Sequence, residues 1–136
     1  MNNDFNQQII QEFRANEGKV GGPFEGRPIL VLTTTGAKTG REHVTPVMCL
    51  LEGDSYYVFA SIGGAPTSPA WYHNLVANPR VTVEVGTERF EARATVLDRD
   101  ERDRVYAKQA ALYQNFAEYE QKTTRTIPVV RLTRAG

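Results

Sequence analysis

The residue types best suited to holding an anion are gathered in one short stretch, Thr33-Thr34-Thr35-Gly36-Ala37-Lys38-Thr39-Gly40-Arg41. Two cations, Lys38 and Arg41, stand there among hydroxyls and glycine backbone. Gly36 and Gly40 can take positive φ, which turns backbone N–H groups toward a bound anion. The same residues also make an ordinary solvated hairpin turn, with Lys38 keeping a sheet edge soluble, and the local pattern leaves both readings open. It is not a Walker loop, because no lysine follows the second glycine and no helix pattern follows the loop. A second glycine- and proline-rich stretch, residues 62–69, leads into a short helix over 70–77. Ser68 reads as its N-cap and Pro69 as its first-turn residue, and the N–H groups at such a start suit an anion. Trp71 and Tyr72, just inside it, suit either core packing or the wall of a flat-ring pocket. Tyr113, Phe116 and Tyr119, spaced three apart, carry the same two readings. No G-x-S-x-G elbow, no base beside Cys49 and no close carboxylate pair is visible. The chemistry expected is therefore that of a pocket for a planar anionic ligand, in which a cofactor reacts and the protein positions it.

Composition sets the frame for these residues. A chain of 136 residues fits a single domain, 1–136, with a real core. Lysine plus arginine balance aspartate plus glutamate at 16 each, which argues against a general nucleic-acid binder. The lone cysteine, Cys49, excludes an internal disulfide and lies in an apolar run that suits packing. His43 and His73 lack metal-ligand spacing, so no metal is expected. There is no signal-peptide pattern and no apolar stretch of bilayer length, so a cytoplasmic protein is expected.

The elements that must position the candidates follow from periodicity. Residues 4–17 read as a helix capped by Asp4, with Phe5, Ile9, Ile10 and Phe13 on one face and Gly18 ending it. That face packs on its own domain or touches a partner or membrane surface. Its polar side is not basic enough to favour lipid. Strands are expected over 29–35, 43–51 and 55–61. Pro46 belongs at an edge or a bulge. In the third strand Tyr57, Phe59 and Ser61 share one face, and Tyr56, Val58 and Ala60 the other. A second hairpin covers 80–85 and 88–97, with Phe90, Ala92, Ala94 and Val96 on one face. One long helix opens at Asp98 with a capping-box pattern to Glu101 and carries Val105, Leu112, Phe116 and Tyr119. A last strand, 126–133, has Pro128 near its start, as at an edge. Six antiparallel strands with few helices predict an α+β protein on a small closed or split barrel.

Several of these motifs, in this order, resemble the deazaflavin-dependent nitroreductases, split-barrel proteins that use coenzyme F420. The likeness runs from about Gly21 to Val130. It is carried by Gly26-Arg27-Pro28-Ile29-Leu30-Val31-Leu32-Thr33-Thr34-Thr35-Gly36-Ala37-Lys38-Thr39-Gly40, by Ala60-Ser61-Ile62-Gly63-Gly64-Ala65-Pro66, by Pro69-Ala70-Trp71-Tyr72-His73-Asn74-Leu75 with Asn78-Pro79, and by Thr126-Ile127-Pro128. The resemblance implies a split β-barrel akin to flavin reductases and pyridoxamine-phosphate oxidases. It implies hydride transfer from reduced F420 to a quinone- or nitro-type acceptor. It further implies that Ala37, Lys38 and Thr39 hold the cofactor's phosphate and acidic tail. His43, Val44, Thr45, Pro46, Val47 and Met48, with Phe59, Ala60, Ser61 and Ile62 and with Ala70, Trp71, Tyr72, His73 and Asn74, surround the ring. Tyr113, Phe116 and Tyr119 cover it and shape the acceptor pocket, and Ser61 reaches the acceptor.

Three positions depart from the family's habit: His43 where arginine is common, Ile62 where some members have lysine, and Phe116 where some have tyrosine. The first two imply weaker binding of the tail. The third implies that quinones are reduced better than bulky nitroimidazoles. Rival readings are an FMN-dependent flavin reductase on the same barrel and a non-catalytic module that binds a cofactor or lipid. A homodimer and a weak peripheral association with a membrane are left open.

Overall fold

The computed structural model describes residues 3–21, 28–60, 68–123 and 126–135, of which residues 3–5 are described by backbone alone. Six strands, β1 (Ile29–Thr35), β2 (Glu42–Glu52), β3 (Ser55–Phe59), β4 (Arg80–Val85), β5 (Glu88–Val96) and β6 (Val129–Arg134), close an antiparallel barrel in the order β1-β2-β3-β6-β5-β4. Four helices accompany it: α1 (Asn3–Ala15), α2 (Ala70–Ala77), α3 (Arg99–Leu112) and α4 (Gln114–Lys122).

Strand alternation sorts the side chains into an inner and an outer set. Leu30, Leu32, Cys49, Val58, Val81, Val83, Ala92, Ala94, Val130 and Leu132 fill the interior, and Trp71 and Leu75 of α2 pack into the same cluster. Tyr57 and Phe59 point the other way, into a cluster with Val105, Tyr106 and Phe116 of α3 and α4. Ile9, Ile10 and Phe13 of α1 pack on Ile29, Val31 and Met48, so the apolar stripe of α1 is used within its own chain. A two-pronged ion pair pins α1 to β4, Arg14 Nε to Glu84 Oε1 at 3.0 Å and Nη2 to Oε2 at 2.8 Å.

Several sequence expectations need correction. Asp4 lies inside the first turn of α1 instead of at its cap. Pro69, not Ser68, is the N-cap of α2, and no side-chain hydrogen bond caps that helix. Val96 and Leu112 are exposed instead of packed. The expected long helix is two, broken at Tyr113, whose φ of −135° and ψ of 105° are extended. The break turns α4 back on α3, so Arg102 Nη2 meets Glu120 Oε2 at 2.8 Å and Tyr106 Oη donates to Phe116 O at 2.7 Å. Asp98 Oδ1 does accept from Glu101 N at 3.0 Å, but the Glu101 carboxylate turns to Arg104 and leaves the capping box half-made. Pro128 precedes β6, and β6 sits between β3 and β5 instead of at an edge.

Pro46 has a clear positional reason. β3 pairs with β2 only across residues 49–52. Cys49 N donates to Pro28 O at 3.1 Å, so antiparallel alternation turns the backbone groups of 43, 45 and 47 toward β1 and those of 44, 46 and 48 away from it. Pro46 therefore lacks its N–H on the edge that meets no described strand, and the β1 ladder loses nothing. This opening is the split in the barrel.

Candidate functional site

The 36–41 loop closes on itself. Gly36 N donates to Arg41 O at 2.7 Å and Gly40 N to Gly36 O at 3.0 Å, while Thr39 Oγ1 accepts from Arg41 N at 3.2 Å. Ala37 N donates to Asn74 Oδ1 at 3.1 Å. The expected ring of glycine N–H groups facing an anion is thus spent on the loop's own shape. Only Gly40 has positive φ, 72°. Gly36 lies in a close space: a Cβ there would stand 2.7 Å from Thr39 Oγ1 and 2.9 Å from His43 Nε2, both on exposed side chains that can shift, and 3.2 Å from the backbone Arg41 O. What the loop offers a ligand is side chains.

Asn74 ties this loop to α2. It is buried, accepts from Ala37 and donates through Nδ2 to Thr34 Oγ1 at 3.2 Å. Asn78 Nδ2 adds a bond to Thr35 O at 3.3 Å. Between the loop and the helix lies a cavity of about 480 Å³ lined by Gly36, Ala37, Lys38, Thr39, His43, Ala70, His73 and Asn74. Lys38, Thr39, His43 and His73 are exposed there, and Arg41 is exposed at the end of the same loop. Neither Lys38 nor Arg41 has an ion-pair partner among the described residues, whereas Arg14, Arg80, Arg99, Arg102 and Arg104 all do. Unpaired cations beside a cavity suit an anionic ligand.

The remaining candidates divide along β2. From His43 to Met48 the strand covers about 17 Å at 3.4 Å per residue. Val44 is exposed, and Thr45, Pro46 and Val47 are half-buried. Val47 packs on the barrel interior, while Met48 packs both on the aromatic cluster and on α1. At the far end Phe116 packs edge-on against Phe59 at 5.5 Å and Tyr119 at 5.2 Å, with Tyr113 at 6.5 Å. Tyr113 and Tyr119 are half-buried. Ala60 is buried, and Trp71 commits its side chain to the barrel interior with Tyr72 at the margin. Ser61 and Ile62 lie outside the described residues. Cys49 is buried in the barrel, and desolvation pushes its thiol up to about 12, which suits packing and not reactivity.

Comparison with known proteins shows the family of the chain. The family model for F420H(2)-dependent quinone reductases matches residues 6–134. The chain belongs to that family. It is an oxidoreductase, with F420H2 as hydride donor and a quinone as acceptor. An F420H(2)-dependent quinone reductase of Mycobacterium tuberculosis is 40% identical over 126 residues, spanning 90% of this chain and 85% of that protein. A solved F420-H2 dependent reductase is 40% identical with a TM-score of 0.71, covering 78% of this chain and 94% of its own. A structure solved as a domain-swapped dimer is 36% identical with a TM-score of 0.73, covering 93% and 92%. A pyridoxamine 5'-phosphate oxidase-type structure from Listeria innocua, 12% identical with a TM-score of 0.59 over 96% of this chain and 93% of its own, shares the fold.

Arg102 and Gln109, the buried polar residues of α3, escaped the sequence reading. Arg102 is buried at the α3–α4 junction, and Gln109 is fully buried. Gln109 had a visible signal, because it follows Val105 by four and Tyr106 by three and so falls on the buried stripe. Arg102 had none, since its partners Ile127 O and Glu120 lie on other elements.

Proposed function

We propose that the two ends of β2 serve the two halves of this redox reaction, with 1–136 acting as one domain. Lys38, Thr39 and His43 bind the acidic tail of the cofactor, in the cavity shaped by Ala37, Ala70, His73 and Asn74. The open edge at residues 44–48 flanks the ring system. Its Val44 N–H and C=O and its Pro46 C=O face away from β1 and are placed to hydrogen-bond a flat heterocycle. Met48, Tyr113, Phe116 and Tyr119 receive the acceptor. F420H2, when bound, supplies the hydride that reduces it.

The single observation that carries this reading is the cavity beside unpaired Lys38, at the start of a strand edge that ends under the aromatic cluster. The protein's part is positional. Asn74 fixes the height of the Lys38 loop, the β2 edge sets the direction of a long ligand, and the aromatics exclude water where the acceptor stacks. Phe116 has no phenol, so the acceptor pocket depends on stacking at that position. We expect turnover of menadione to exceed that of a bicyclic nitroimidazole in side-by-side F420H2 oxidation assays. Faster nitroimidazole turnover would contradict the role given to Phe116. The domain-swapped dimer among the relatives supports a homodimeric reading, and light scattering of the purified chain tests it.

A further inference from the structure

Gln109 has no exposed surface, and its Oε1 and Nε2 are the only buried side-chain polar atoms without a hydrogen-bond partner among the described residues. Buried amides are normally bonded, and leaving both ends unmatched is costly. The location gives the cost a meaning. Gln109 sits one turn from Val105 and Tyr106, both in the aromatic cluster, and one turn before Tyr113. Its backbone carbonyl accepts from Tyr113 N at 2.9 Å, closing α3 just before the break. Neighbouring polar groups are used: Tyr106 Oη donates to Phe116 O, and Tyr119 Oη accepts from Asn115 Nδ2 at 2.9 Å. α4 is held to α3 through Arg102–Glu120 and Tyr106–Phe116, and Tyr113 is the single extended residue between the two helices.

We propose that Gln109 is the acceptor's hydrogen-bond partner, its Nε2–H donating to a quinone carbonyl oxygen that enters beside the aromatic cluster. This deepens the reading above and rests on the acceptor entering at the aromatic side. A quinone has carbonyl acceptors and no donor, so an amide donor in a dry aromatic pocket is the complementary group. Reduction builds negative charge on that oxygen, and the bond strengthens as it does. The amide keeps its proton, so Gln109 orients and stabilises the acceptor without relaying protons.

The test is Gln109→Met, close in shape and apolar, beside Tyr119→Ala as a reporter of the acceptor side. In Gln109→Met we expect a Tm raised by a few degrees, because an unbonded amide is removed. The KM for F420H2 should not move. The KM for menadione should rise about 3- to 10-fold, with menadione binding to the F420-loaded protein weakened by the same factor in calorimetry. An unchanged menadione KM overturns the proposal, whether Tm rises (an amide with no task) or falls (an amide satisfied by buried water). If Tyr119→Ala raises the menadione KM while Gln109→Met does not, only the role of Gln109 is lost. If neither variant moves it, the acceptor does not enter here and the wider reading falls with the proposal.

Discussion

The two ends of β2 are built by opposite rules. At the Lys38 end the cations are unpaired, the side chains are exposed, and the loop's backbone donors are spent on its own closure. At the α3–α4 end charge is matched closely. Arg102, with its side chain only 7% exposed, donates to Ile127 O, Asp103 and Glu120, each at 2.8 Å, and its guanidinium lies 4.5 Å over the Tyr106 ring. The difference separates binding from scaffolding. Charge left unmatched in water costs the fold little and is available to an anion. Charge taken into the packed end must be satisfied internally or it destabilises.

The sharpest way to break this contrast is at Arg102. Arg102→Ala removes three hydrogen bonds and strands Ile127 O, so a loss of about 3 kcal/mol is expected in chemical denaturation. F420 affinity below the melting range should be unchanged. A loss below about 0.5 kcal/mol, the level of an ordinary surface site, would mean that the paired end is not the scaffold. Asn74→Leu probes the one place where the two rules meet. It leaves Ala37 N–H and Thr34 Oγ1 without their partner, for about 1–3 kcal/mol of stability, and frees the loop, so F420 affinity should fall as well. Affinity unchanged in a destabilised Asn74→Leu would show that loop height does not matter.

The smallest effect lies on the surface of α3. Hydrogen bonds from Arg104 and Lys108 hold the Glu52 carboxyl down at about 2, below its ordinary 4.5. A depressed folded value means that its stabilisation is present above the ordinary carboxylate range and lost as pH falls toward about 2. The Tm gap between wild type and Glu52→Gln should therefore be small near neutrality and close as pH drops through that window. A gap that widens on acidification would reverse the sign assigned to this pair.

Much of the barrel was legible because strands announce themselves by alternation. The two faces of β3 read directly from Tyr57 and Phe59 against Tyr56 and Val58, and the structure places them in separate clusters. The break at Tyr113 was not legible. No proline or glycine marks it, and the periodicity continues through it. What breaks the helix is tertiary, since folding back lets Glu120 reach Arg102 and the Phe116 carbonyl reach Tyr106. The site was half-legible in the same way. The loop residues and the α2 residues could each be picked out, but the Asn74 bonds that join them span 37 and 40 residues of sequence. Gly36 was flagged for positive φ, which it does not have; its close neighbours are the Thr39 and His43 side chains and the Arg41 carbonyl.

On the proposed reading, the open, unpaired end binds the deazaflavin tail. Fluorescence titration with F420 and with FMN, on wild type and Lys38→Ala, tests it most directly. Wild type should prefer F420. Lys38→Ala should weaken F420 binding about 10-fold or more, the worth of a charge-assisted bond, while leaving Tm unchanged. Tighter binding of FMN, or F420 affinity indifferent to Lys38→Ala, would contradict it.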